Sequence, residues 1–441
     1  MRPAAVILAA ATAIGGLSLA GLPAHAASYG SPVVAPKGGC QNQPQKAKVW
    51  DGTVPAQDEL DAERVWPIST GADVTVAVLD SGVDTSHDQL RGADIANGAD
   101  FLHGNGGGTG RRDCDGHGTA VTSLIVAQKV NGVSFQGLAY DAKILPVVVS
   151  ERHDDGPQEG RGETTSPEKL AKAIDWSVNQ GAKVINLSLT LTKDNPAVKR
   201  AVANAVNHDV VVVAAAGNGA RKADPAKGDP GSPGPRPYPA AYDGVIGVGA
   251  VSYGAPLEKS QYGDYVDIAA PGNVFAAALK KGHVGMSGTS FAAAYVSASA
   301  ALLRSKWPEM KADEVTRRLL ATAGPGAGSR AKTGAGVVNP YRALTEGLSD
   351  DDPAEPVGMT PQSPDPAAVA RSDEWEFSGT MALVGTVIGI LLAGAALATL
   401  TLLPLGRRRR WHPGRAKPFP EPEEDDMPPA PVKLFEDLEA H

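Results

Sequence analysis

The sequence predicts an α/β fold, a mainly parallel sheet with helices on both faces, and three observations carry that expectation. Short runs rich in β-branched residues recur along the chain. Longer amphipathic stretches separate most of them. The runs are nearly continuous in apolar residues, which suits strands covered on both sides.

The strands are expected at 74–79 (VTVAVL), 143–149 (KILPVVV), 183–189 (KVINLSL), 210–215 (VVVVAA) and 245–251 (VIGVGAV). Helices are expected at 118–129, 166–180, 196–208 and 289–306. If the crossovers are right-handed, the C-terminal ends of the strands share one edge, where ligand sites of open α/β sheets lie. The stretches 102–113, 152–165 and 221–237 are rich in Gly, Pro and charge and read as loops. Gly104, Gly106, Gly107 and Gly108 form no phosphate cradle, because neither GxxxxGK[ST] nor GxGxxG is present there. The sequence contains no internal repeat.

Both ends of the 441-residue chain depart from globular composition. Residues 1–26 carry Arg2, an apolar run and then Ala24-His25-Ala26, the pattern of a removable signal peptide; an uncleaved anchor or a core helix is the alternative. Residues 380–403 contain no charge. At 1.5 Å per residue they span roughly 36 Å, enough for a hydrocarbon core of about 30 Å. Arg407, Arg408, Arg409 and Arg410 follow, and a basic cluster beside a spanning helix stays in the cytoplasm. The expected organisation is therefore a signal peptide at 1–26, an extension at 27–49, one catalytic domain at 50–348, a Pro-rich acidic stalk at 349–379, a transmembrane helix at 380–403 and a cytoplasmic tail at 404–441. This describes a single-pass protein of the cell membrane with its folded domain outside, in contact with the lipid bilayer.

The net charge of −8 argues for solubility of the outer part and against a nucleic-acid partner. Of the two cysteines, Cys40 lies in the extension and Cys114 in the folded part. An oxidising compartment favours a disulfide between them, and two free buried thiols are the alternative. No cofactor or metal is expected; acidic residues such as Asp154-Asp155 have no EF-hand spacing.

The chemistry-bearing residues cluster at element ends. Asp80 closes the first strand in Asp80-Ser81-Gly82, where a turn-forming role is the plain reading; Asp84 is a weaker candidate carboxylate. His117 stands between glycines at the mouth of a helix in Asp115-Gly116-His117-Gly118-Thr119, while His87 falls in a polar turn and His103 in a glycine loop, and both read as structural or solvent-facing. Ser290 opens a small-residue helix in Gly288-Thr289-Ser290-Phe291-Ala292-Ala293-Ala294, a place usual for an N-cap but also rich in backbone donors. Asn218, in Ala216-Gly217-Asn218-Gly219, ends a strand and could donate to an oxyanion. Together these are the parts of a machine for acyl transfer: nucleophile, base, orienting carboxylate and oxyanion donor. Their order is not that of the α/β-hydrolases, whose nucleophile lies in GxSxG.

With those motifs, residues from about Trp50 to Leu344 resemble the subtilisin family. The resemblance implies a subtilisin-like three-layer αβα fold and a serine endopeptidase. Its catalytic residues would be Asp80, His117 and Ser290, with Asn218 and the Ser290 N–H as oxyanion hole and Ser188-Leu189 and Ala215-Ala216-Gly217 as substrate rails. Two positions depart from most relatives: Ala294 replaces a proline, implying a looser helix start, and Thr190 replaces a glycine, implying a narrower cleft. A closer likeness is to the mycosins, membrane-anchored subtilisins that accompany type VII secretion. It rests on the signal peptide, the cysteine-bearing extension, Ala-x-x-Val-Trp-Pro at 62–67, Phe-Ala-Ala-Ala-Tyr-Val-Ser after Ser290, the stalk, and the final helix with its Arg cluster. That likeness implies exported protein or peptide substrates, a type VII membrane complex as partner, and an extension that wraps the domain rather than inhibiting it. Two other roles are compatible with the sequence, a mainly structural part of a secretion complex and a general surface housekeeping protease.

Overall fold

The structure, a computed structural model, describes residues 47–151, 163–221 and 231–348. The signal peptide, most of the extension with Cys40, the stalk, the 380–403 segment and the tail lie outside the described residues. No helix among the described residues is long and apolar enough to cross a membrane.

Two short helices, α1 (Pro55–Glu59) and α2 (Ala62–Val65), precede the central strand β1 (Thr75–Asp80). There follow β2 (Ala99–Asp100), α3 (His117–Val126), β3 (Lys143–Val148), α4 (Pro167–Asn179), β4 (Val184–Leu187), α5 (Pro196–Asn207), β5 (Val211–Ala215) and β6 (Val245–Ser252). The remainder is β7 (Ala255–Pro256), β8 (Ile268–Pro271), a hairpin of β9 (Asn273–Ala277) and β10 (His283–Ser287), then α6 (Thr289–Lys306), α7 (Ala312–Ala321), α8 (Arg330–Thr333) and α9 (Pro340–Thr345). The sheet order is β2-β3-β1-β4-β5-β6-β7, with β8 also paired to β6. Only the β6–β7 pair is antiparallel within this sheet.

Alternation along the buried strands divides the core into two layers. Val76 and Val78 of β1, Val184 of β4 and Val211 and Val213 of β5 pack with α3 and α6 on one face. Ala77, Leu79, Ile185, Leu187, Val212 and Ala214 pack with α4 and α5 on the other. Each strand thus buries both faces, as its continuous apolar run requires. The chain leaves β1 for β3 on one side and returns to β4 on the other, so the switch in winding direction falls at β1, whose last residue is Asp80.

Helix α6 is the apolar axle of one layer. Sixteen residues, from Thr289 to Arg304, are buried, which needs the small Ala and Ser side chains to bring the helix close to the sheet. It runs unbroken through Ala294, the position where most members of the resembled family carry proline.

Residues 47–50 are clasped by the β9–β10 hairpin. Ala47 N–H donates to Lys281 O (3.2 Å) and His283 N–H to Lys48 O (2.9 Å). The Trp50 ring stacks on Phe275 with centroids 3.9 Å apart. His283 Nδ1 accepts the Trp50 N–H (3.0 Å) and its Nε2–H faces Gln89 Oε1 (2.6 Å). His87 Nδ1 likewise accepts the Gln89 N–H (3.2 Å) and its Nε2–H faces Gly282 O (3.0 Å). Both rings are therefore held neutral, and protonating either would set a second donor against a backbone N–H. Burial, aided by His87, lowers His283 to about 4; burial also lowers His87.

A folded value below the unfolded one near 6.5 means that the clasp is fully supported above that pH and loses support as pH falls toward 4. Asp113 and Asp267 act in the opposite sense, since burial raises each to about 6 and their contribution is lost as pH rises through that value. Global melting temperature mixes the two effects, so a local readout is needed. Amide exchange at Trp50 and His283, corrected for intrinsic rate, is expected to accelerate relative to α6 between pH 6.5 and 4. Constant relative protection over that interval would contradict the assignment.

Candidate active site

Three elements bring the predicted side chains to the C-terminal edge of the sheet. Asp80 ends β1 with its side chain wholly buried. Its Oδ1 accepts the Ser81 N–H at 2.7 Å. His117 begins α3, and its Nδ1 lies 2.8 Å from Asp80 Oδ1 and 3.0 Å from Oδ2. An ionised carboxylate only accepts, so Nδ1 carries the proton and Nε2 is the basic nitrogen of the neutral ring. Gly118 makes this approach possible, because a Cβ there would stand 2.2 Å from Gly82 O. Its N–H instead donates to Ser81 Oγ at 2.8 Å, tying α3 to the end of β1.

A residue absent from the sequence-based expectations anchors the His-bearing turn. Asp113 is buried, and its Oδ1 accepts the N–H groups of Asp115 (3.0 Å) and Gly116 (2.8 Å). Its Oδ2 accepts the Thr119 N–H (2.8 Å) and hydroxyl (2.6 Å). One carboxylate thus closes the orphan donors of the helix start on both sides of His117. Asn in its place offers one accepting oxygen and turns an NH₂ toward the other donors. Asp113→Asn is expected to cost about 1–3 kcal/mol for each buried donor left unpaired. Chemical denaturation checks the stability loss, and a reduced kcat should accompany it as His117 loosens.

Ser290 lies in the first turn of α6, 3% exposed, with Oγ 3.5 Å from Ser188 O. That distance is the outer limit of a hydrogen bond, so the hydroxyl is weakly held. The neighbouring Phe291 ring packs 5.2 Å, centroid to centroid, from the His117 imidazole, which brings the helix start and the base side by side. Ser188 Oγ–H donates to Ser290 O (3.2 Å) and accepts from Asn186 Nδ2 (2.8 Å), while Ser297 Oγ–H donates to Asn186 Oδ1 (2.9 Å). This buried chain joins the end of β4 to two turns of α6.

Asn218 follows β5. Its Oδ1 accepts the Thr289 N–H (2.9 Å) and hydroxyl (3.2 Å). With the oxygen turned to α6, the amide presents Nδ2, the donating end, in the other direction. The positions expected to flank substrate, Ser188-Leu189 and Ala216-Gly217, directly follow the adjacent strands β4 and β5. Thr190 stands across from Gly217: a Cβ on Gly217 would meet its Cγ2 at 3.4 Å.

The competing groups have other duties. Asp84 Oδ1 accepts from Ser86 N–H and hydroxyl, and its Oδ2 accepts the Lys280 N–H. His87 is part of the clasp, and half-exposed His103 pairs with Asp100. Cys114 is not a free thiol, while Cys40 lies outside the described residues. Among the described residues no cluster of His, Cys, Asp and Glu is suited to a metal ion.

Comparison with known proteins agrees with this layout. The Subtilase family pattern, Peptidase S8, matches residues 71–341. Mycosin-3 of Mycobacterium tuberculosis is 35% identical over 409 residues, covering 81% of this chain and 84% of the relative. Subtilisin DY of Bacillus licheniformis is 33% identical over 255 residues, 57% of this chain and 84% of its own. A solved structure described as the serine protease MycP1, an essential component of the type VII (ESX-1) secretion system, superposes with a TM-score of 0.55 at 30% identity, covering 72% of this chain and 95% of that one.

Proposed function

Because the chain belongs to the subtilase family, is a serine endopeptidase and is related to the mycosins, we propose that Ser290 is its nucleophile, His117 its general base and Asp80 the carboxylate that orients the base. The observation that best supports this assignment is the buried Asp80–His117 pair, 2.8 Å at its closest, beside the start of α6. In the reaction, Ser290 Oγ attacks the scissile carbonyl carbon as its proton passes to His117 Nε2. Asp80 steadies the imidazolium that results. The carbonyl oxygen, now anionic, takes hydrogen bonds from Asn218 Nδ2 and the Ser290 N–H, which were oriented before substrate arrived. His117 gives its proton to the leaving amine, and the C–N bond breaks. Water then attacks the acyl-enzyme with His117 again as base, releasing the acid and restoring Ser290. The residues just past β4 and β5, Ser188-Leu189 and Ala216-Gly217, flank the substrate chain, and Thr190 narrows the cleft between them.

The working location in this proposal is the outer face of a bacterial membrane. Residues 1–26 direct export and are removed, 380–403 span the bilayer, and Arg407 to Arg410 hold the tail in the cytoplasm. Cys40 and Cys114 pair and fasten the extension beside the His117 turn. The substrates are one or a few exported proteins, and the protein works with a type VII secretion membrane complex, as the description of MycP1 suggests for that relative. The same description, an essential component, favours a second reading in which the complex needs chiefly the protein's presence, with its catalysis secondary or dispensable.

One experiment separates the two. Cells lacking the protein are complemented with wild type or Ser290→Ala, and secretion and substrate processing are followed together. Loss of processing with secretion retained favours the structural reading; loss of both favours the catalytic one. Uncleaved substrate with wild type removes the proposal of a dedicated protease.

A further inference from the structure

Gln261 lies after β7, outside every motif that marks the site, yet its side chain is 4% exposed and sits under the loop that carries Asn218. Its backbone N–H donates to Gly217 O at 2.8 Å. Its Oε1 accepts the Gly219 N–H at 3.2 Å, and its Nε2 donates to Pro235 O. One residue therefore holds the peptide groups on both sides of Asn218 and links them to the neighbouring 231–237 segment. A Cβ on Gly217 would fall 2.3 Å from Gln261 Oε1, one on Gly219 would fall 3.0 Å from the same atom, and one on Gly234 would fall 2.7 Å from its amide. Three glycines thus close around a single buried amide, leaving no room for it to turn. Alongside, Ala220 N–H donates to Lys259 O at 3.2 Å.

From the opposite side, Thr289 Oγ1 accepts the Gly217 N–H (3.0 Å) and donates to Asn218 Oδ1. Asn218 is gripped by α6 through its side chain and by Gln261 through its flanking backbone. We infer that Gln261 is a positioning residue for the oxyanion donor, holding the Gly217-Asn218-Gly219 backbone so that Asn218 Nδ2 is placed before the transition state forms. The inference rests on the assignment of Asn218 given above. Its physical basis is that a preorganised donor stabilises developing charge only if it need not move to do so, and a displacement of about 1 Å is enough to cost catalysis. Gly219 is exposed, so water can satisfy its N–H when Gln261 is changed. The loss should therefore appear in placement and kcat rather than in folding.

The test is a double-mutant cycle on the full-length chain in detergent, with Gln261→Met as a near-isosteric change and Asn218→Leu as its partner. Gln261→Met is expected to lower kcat about tenfold with KM within about twofold, because the contact acts on the transition state. Asn218→Leu alone is expected to lower kcat about 10²–10³-fold, the magnitude that loss of this donor has in subtilisin itself. In the Asn218→Leu background, Gln261→Met should cost less than about twofold more, since there is no donor left to place. Gly219→Ala, which pushes on Oε1 from the other side, should reproduce the kcat loss if Gln261→Met does not fold. A Gln261→Met or Gly219→Ala loss that is equally large without Asn218, or that is confined to KM, or that is absent, overturns the inference and leaves Asn218 its role. An Asn218→Leu enzyme with unchanged kcat removes both.

Discussion

Ser290→Ala is expected to lower kcat on an unfolded protein substrate by about 10⁶-fold, the order of magnitude that loss of the nucleophile has in subtilisin. The alanine deletes the only atom that bonds to the substrate acyl group. Everything else remains, including the Asp80–His117 pair, the Asn218 amide and the helix start. The folded state should hardly respond, because the hydroxyl's contact with Ser188 O is 3.5 Å long and contributes little. Steady-state kinetics and a thermal melt on the same preparation check both halves. Lost activity with an unshifted melt supports the assignment; retained activity removes it.

Asp80→Asn has the next largest expected effect, about 10⁴-fold in kcat, the order seen when a serine protease loses the carboxylate behind its histidine. Asp80 accepts both the Ser81 N–H and the His117 Nδ1–H. An asparagine that keeps its oxygen at the Oδ1 position for Ser81 puts NH₂ at the Oδ2 position, 3.0 Å from His117 Nδ1, and removes the negative charge that steadies the imidazolium. A ring that turns its Nδ1 lone pair to that NH₂ carries its proton on Nε2 and faces Ser290 with no base. KM should change little, since Asp80 is buried and touches no substrate. A loss confined to KM would contradict this account of the tautomer.

Much of the frame was legible in the sequence because its signals are local. The five runs predicted as strands overlap β1, β3, β4, β5 and β6, with β1 and β6 each running one residue further than predicted, and the stretch predicted as 289–306 is the observed α6. Asp80, His117, Asn218 and Ser290 stood out because each ends or begins such an element. The hairpin of β9 and β10 was hidden by Gly282, Gly285 and two lysines, and β2, β7 and β8 are too short to show a period. Helix α7 did carry a readable signal: Glu314 Oε2 accepts the Lys311 N–H at 2.7 Å, a capping contact visible as spacing before an amphipathic run. After β6 no helix intervenes, and the chain turns back through β7 and β8.

The unread part of the site depends on contacts between distant segments. Asp113 resembles any loop aspartate until the fold buries it under four donors from the turn around His117. Gln261 lies 43 positions after Asn218 and 29 before Ser290, and no local pattern connects it with them. His283 and His87 look like unrelated surface histidines until the hairpin carries one to within 6.0 Å of the other. Residue type and spacing pointed to the groups proposed to react. The groups that hold them in place became visible only when the chain was folded.

In the proposed mechanism Ser290 is made nucleophilic by His117. The most direct test treats intact membranes bearing the full-length chain with a fluorophosphonate and maps the adduct by mass spectrometry, in wild type and in His117→Ala. A single adduct on Ser290, its labelling rate falling by orders of magnitude without the imidazole, is the predicted result. An adduct on another residue, or Ser290 labelled equally fast in both proteins, would contradict it.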